Sequence, residues 1–68
     1  MQEFEDAFTR NNIRLELGFN KGLWSGSTYF SAGSTHWEVH TGESYKDLYT
    51  CMNWLYENSK RNKGSYWK

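Results

Sequence analysis

Apolar and polar residues alternate from Ile13 to Phe19, with Ile13, Leu15, Leu17 and Phe19 on one face and Arg14 and Glu16 on the other. That alternation is the signature of a strand with one buried face, drawn here at residues 13–20. Ahead of it, residues 2–10 place Phe4, Ala7 and Phe8 at helical spacing, with Glu3, Glu5 and Asp6 where the helix dipole favours acids. Asn11-Asn12 ends this helix, because Asn tolerates the left-handed conformation. So short a helix does not hold alone in water and must dock on something. Asn20-Lys21-Gly22 reads as a hairpin turn into a second strand at 23–31, where Trp24, Gly26, Thr28 and Phe30 share a face. Gly26 there marks a bulge or a close backbone approach. Ala32-Gly33-Ser34 turns the chain into a third strand at 35–41, with Trp37 and Val39 pointing one way and His36, Glu38 and His40 the other.

From Thr41 on, the period becomes helical. Tyr45, Leu48, Met52, Leu55 and Ser59 form one stripe over residues 44–62, with Cys51 and Tyr56 at its margins. Ser44 reads as the N-cap, with Asp47 three residues on. Lys60, Arg61 and Lys63 suit the carboxyl end of the dipole, Gly64 supplies the stop, and 63–68 are a tail. The expected fold is one small α+β domain over residues 1–68. It is a three-stranded antiparallel meander packed against one long C-terminal helix, with the short N-terminal helix filling an end (α-β-β-β-α).

This order is similar to that of double-stranded-RNA-binding domains, and its strand-strand-strand-helix portion to the HicB-like antitoxin fold. Thr41-Gly-Glu-Ser-Tyr-Lys-Asp-Leu48 resembles the strand-to-helix joint of HicB-like domains. The likeness is topological, and no functional residue is carried over from either family. A double-stranded-RNA-binding domain opens its second helix with a Lys cluster, where this chain has only Lys46.

Composition narrows the function classes. Eight Lys+Arg balance eight Asp+Glu, which argues against binding nucleic acid or membrane through bulk positive charge. The single cysteine, Cys51, excludes an internal disulfide and fits a reducing, cytoplasmic compartment. No apolar run approaches transmembrane length, and the start Met-Gln-Glu-Phe-Glu-Asp is acidic where a signal peptide is basic. The excess lies in the rings: four Trp, five Tyr and four Phe, more than one small core encloses. Some must reach the surface, where Trp and Tyr typify interaction sites.

Little in the chain points to catalysis. His36, Glu38 and His40 share a strand face and could close around a metal, but no further ligand is placed beside them. A solvated outer strand face explains them more simply. Cys51 sits mid-helix with neither a neighbouring cation nor a helix N-terminus to activate it, and reads as a small core filler. Gly22, Gly26 and Gly33 are too widely spaced for a phosphate-binding loop. The expectation is therefore a non-enzymatic protein with no metal and no cofactor.

A surplus of rings without catalytic groups reads as a protein-binding module that occupies a partner surface. By size and composition it suits a small phage or mobile-element inhibitor of a host or defence protein, anti-CRISPR-like. The expected partner-binding residues are Trp54, which lies off the buried helical stripe, Tyr66 and Trp67 in the tail, and the neighbouring Arg61 and Lys63. The alternative surface is the outer sheet face around Arg14, Glu16, His36, Glu38 and His40. A second reading is a nucleic-acid-binding accessory protein that uses the basic-aromatic C-terminal segment Lys60, Arg61, Lys63, Tyr66, Trp67 and Lys68. A third, from topology, is an antitoxin-like regulatory partner. Two sheet edges without a Pro in the first or second strand also suggest homodimerisation, by edge pairing or through exposed rings.

Overall fold

Two tight turns organise the sheet. In the computed structural model, which describes Met1 to Lys68, the order is α1 (Gln2–Arg10), β1 (Arg14–Asn20), β2 (Leu23–Ala32), β3 (Thr35–His40) and α2 (Leu48–Lys63), followed by a 3-10 turn at Gly64–Tyr66. Lys21 and Gly22, at φ 54° and 81°, close β1 onto β2. Gly33, at φ 61°, opens the turn from β2 to β3. These mirror-image turns match the right-handed twist of paired strands. The strands form one antiparallel sheet in the order β1-β2-β3, so the α-β-β-β-α meander is the observed fold.

The register places the apolar residues in rows across the sheet. Leu15 faces Thr28, which faces Val39; Leu17 faces Gly26; Phe19 faces Trp24; and Phe30 faces Trp37. α2 lies over this face and buries Cys51, Met52, Leu55 and Ser59, four neighbouring positions of the expected stripe and its margin. Burial of Met52 and Leu55 contributes about 1.5–3 kcal/mol for each side chain. Phe4, Ala7 and Phe8 of α1 pack beside them with Ile13 and Val39. Trp24, Phe30, Trp37, Tyr45, Trp54, Tyr56 and Trp67 ring that core and are partly buried. A buried hydroxyl pair, Thr28 Oγ1 to Ser59 Oγ at 2.6 Å, pins α2 to the central strand.

The long helix starts later than its sequence suggests. The expected helix at 44–62, capped by Ser44, is observed at Leu48–Lys63, and its N-cap is Asp47. Tyr45 is extended and exchanges two backbone hydrogen bonds with Trp24, at 2.6 and 2.8 Å, which holds residue 45 on the sheet. Asp47 then accepts from the Thr50 amide at 2.9 Å and the Thr50 hydroxyl at 3.0 Å. Strand boundaries differ from expectation by single residues. Ile13 falls outside β1 because its amide donates to the Phe8 carbonyl at 2.8 Å. No helix is long and apolar enough to cross a membrane.

Candidate functional site

The tail is docked, and one side chain docks it. Asn11, 1% exposed, donates from Nδ2 to the carbonyls of Ala7 (2.8 Å) and Lys68 (3.0 Å). Its Oδ1 accepts from the Lys68 amide at 2.7 Å and from Lys63 Nζ at 3.1 Å. Arg10 Nε adds a longer bond to the Lys68 carbonyl at 3.4 Å. This anchorage lays Trp67 edge-on against Tyr56, with centroids 5.5 Å apart, and Tyr56 in turn meets Phe4 and Phe8.

The five expected partner-binding residues therefore divide. Trp67 is half-buried in an aromatic cluster, and Trp54 is half-buried against the core. Neither indole stands free: Trp54 packs against the core and Trp67 against Tyr56. Arg61 is exposed and Lys63 half-buried. Tyr66, 79% exposed, is the one ring of the set that stands free.

Tyr66 stands at the rim of an open cleft of about 550 Å³ between the carboxyl end of α2 and the β2–β3 hairpin. Phe30 and Trp37 line it, nearly parallel at 21° with centroids 5.5 Å apart. Lys63 and Lys68 also contribute to the wall. The Lys63 ammonium lies 5.1 Å from the Phe30 centroid, within cation–π range. The cleft thus offers an apolar floor, an exposed phenol and two cations, a set suited to an apolar side chain flanked by acidic groups.

The alternative surface carries two polar clusters on the other side of the sheet, which meet where the Tyr29 ring lies edge-on to His40 at 5.9 Å. Arg14 pairs with Glu16 at 2.8 Å and lies 4.4 Å over the Tyr29 ring, whose hydroxyl donates to Glu16 at 3.1 Å. Glu38 sits between two imidazoles, 2.9 Å from His40 Nε2 and 3.4 Å from His36 Nε2. His40 Nδ1 lies 2.6 Å from the Ser27 hydroxyl. Both ring nitrogens of His40 are thus partnered, Nε2 by Glu38 and Nδ1 by Ser27. The bonds from His40 and His36 hold the Glu38 carboxyl below the usual range. Cys51 is fully buried, and that burial pushes its thiol above its ordinary value.

A further surface was not singled out by the sequence. Leu17, Phe19 and Leu23, at the free end of the β1–β2 hairpin, are all exposed, Phe19 to 59%. β3 ends opposite Ser27, so the hairpin runs past it. The Phe19 ring rests on Trp24 at 4.6 Å, the one aromatic partner it has. The alternating pattern predicts the face of these residues but gives no measure of how far the covering layer extends. No family model, curated protein or solved structure matches the chain.

Proposed function

We propose that the protein is a non-enzymatic binding module whose partner is another protein, engaged at the cleft beside Tyr66. One observation carries this reading: Tyr66 is 79% exposed at the rim of a cleft lined by Phe30 and Trp37. A rigid, exposed aromatic beside an apolar recess gives contact area at low conformational cost. Lys63 and Lys68 favour an acidic border on the partner's binding segment. Arg61 is exposed on the last turn of α2 but does not line the cleft. The nucleic-acid reading draws less support, because Trp67, one of the two rings of that segment, is packed against Tyr56 within the fold. Inhibition of a host or defence protein by surface occupation is the form of activity this reading favours.

Capture from an extract of the native host, with and without nuclease, tests it. A protein retained after nuclease treatment, and held roughly 10- to 30-fold more weakly by Tyr66→Ala, is the expected outcome. The variant keeps its melting temperature, since the ring it removes is exposed. Capture that disappears with nuclease, or that Tyr66→Ala leaves unchanged, overturns the reading.

A further inference from the structure

β1 is an edge strand, and no other element of the chain pairs with its outer side. The two-residue turn at Lys21-Gly22 makes Asn20 and Leu23 the closing hydrogen-bonded pair of the hairpin. Antiparallel alternation from that pair directs the backbone groups of Arg14, Glu16, Gly18 and Asn20 to β2, and those of Leu15, Leu17 and Phe19 outwards. The far side of β2 obeys the same alternation: Trp24 bonds to Tyr45, and Gly26 accepts from the Thr41 amide. The open edge therefore presents the amides and carbonyls of Leu15, Leu17 and Phe19. Their side chains lie on the face that α2 covers elsewhere, yet Leu17 and Phe19 remain exposed. No proline, lysine or bulge interrupts the strand to block pairing.

The occupant that fits this edge is the edge itself. We infer that two copies pair β1 with β1 in antiparallel fashion about a two-fold axis through Leu17. In that register Leu17 faces Leu17 of the second copy and Leu15 faces its Phe19. Each of the three outward amides then meets an outward carbonyl. On the opposite face Glu16 meets Gly18 and Arg14 meets Asn20, so no like charges oppose each other. Neighbouring registers fit worse. Centring on Glu16 sets that carboxylate against its own copy and draws in Ile13, whose amide already donates to Phe8. Centring on Gly18 leaves Leu15 unpaired. The Leu17 register joins the apolar rows of the two copies into one six-stranded sheet, with α2 of each on the same side. The Phe30–Trp37 clefts lie on the β2–β3 side and remain open, so the dimer carries two of them. The pairing rests on β1 alone and does not depend on the cleft reading.

Sedimentation equilibrium over a wide concentration range tests the assembly, and crosslinking tests its register. A species of twice the chain mass is expected. Leu17→Pro removes an outward amide without touching the β1–β2 ladder, and Phe19→Lys places a charge on the shared apolar face. Each should weaken dimerisation roughly tenfold or more. Leu17→Cys brings two thiols together at the axis, where hydrogen-bonded neighbours have Cα atoms about 5.5 Å apart. It should oxidise to a covalent dimer far faster than Ser31→Cys, an exposed position on β2. A monomer at every concentration overturns the inference, including where the edge serves a strand of some other protein. So does a dimer in which Leu17→Cys crosslinks no faster than Ser31→Cys. If Leu17→Pro proves unfolded, Phe19→Lys and the crosslinking pair decide the question. Tyr66→Ala should leave dimerisation unchanged, which separates this result from the fate of the cleft.

Discussion

A methyl group at position 26 has nowhere to go. A Cβ there would lie 2.8 Å from Leu55 Cδ1, 2.9 Å from the Glu16 carbonyl oxygen and 2.9 Å from Leu17 Cδ2. The carbonyl belongs to the paired strand and cannot swing aside, while Leu55 is wholly buried. Gly26→Ala should therefore destabilise the protein by about 1–3 kcal/mol through overpacking. Urea unfolding checks this, and an unchanged midpoint would mean that the sheet and α2 separate more easily than their packing implies. The sequence offered two explanations for this glycine, a bulge or a close approach. Because Leu17 faces Gly26 and the Thr41 amide bonds to its carbonyl, pairing continues through it and close approach is the reason. Other residues were less legible. Asn11 reads as a helix stop, and nothing local says that its amide receives a segment from the far end of the chain. Helical periodicity gives the direction of Trp54 but not the neighbours that half-cover it, and Trp67 lies beyond the last regular helix.

Among the elements, face assignment was legible and extent was not. The stripe Met52, Leu55 and Ser59 is buried as its spacing predicts. The start of α2 slips because Ser44 and Asp47 are both competent caps, and the backbone bonds between Tyr45 and Trp24 decide between them. Alternation in β1 likewise identified the inner face, but burial fades from Ile13, at 8% exposed, to Phe19, at 59%, as the covering helices run out. The outer face of β3 carries its own prediction. Hydrogen bonds from His40 and His36 depress the Glu38 carboxyl in the folded state. Over the acid range the unfolded chain then binds more protons at this position. The contribution of Glu38 is accordingly present above the ordinary carboxylate value and lost as pH falls through the depressed one. Between about pH 3 and 5, stability should rise less steeply with pH in Glu38→Gln than in the parent. Parallel curves from denaturant titrations at several pH values would count against a folded-state bond to either histidine.

At the scale of the whole molecule, the extents are 37 × 22 × 15 Å; α2 packs on β2 and β3, while α1 packs against both α2 and β1. The bonds from Asn11 to Lys68 bridge a sequence separation of 57, whereas the sheet is assembled from two hairpins with two-residue turns. Closing the longer span costs more chain entropy than closing either hairpin. The Asn11 junction should accordingly form after the sheet and α2 have met. An interaction absent from the folding transition state acts on the reverse reaction. Asn11→Ala should therefore accelerate unfolding roughly 5- to 150-fold, leave the refolding rate nearly unchanged, and cost about 1–3 kcal/mol at equilibrium. Stopped-flow kinetics distinguish the two limbs, and a refolding rate slowed in proportion to the lost stability would place the junction early instead. The same order of events implies that α1, only nine residues long, and the segment around Trp67 come loose together. Amides in both should exchange with solvent at one shared rate, faster than those of β2, so the molecule breathes by lifting its two ends as a unit.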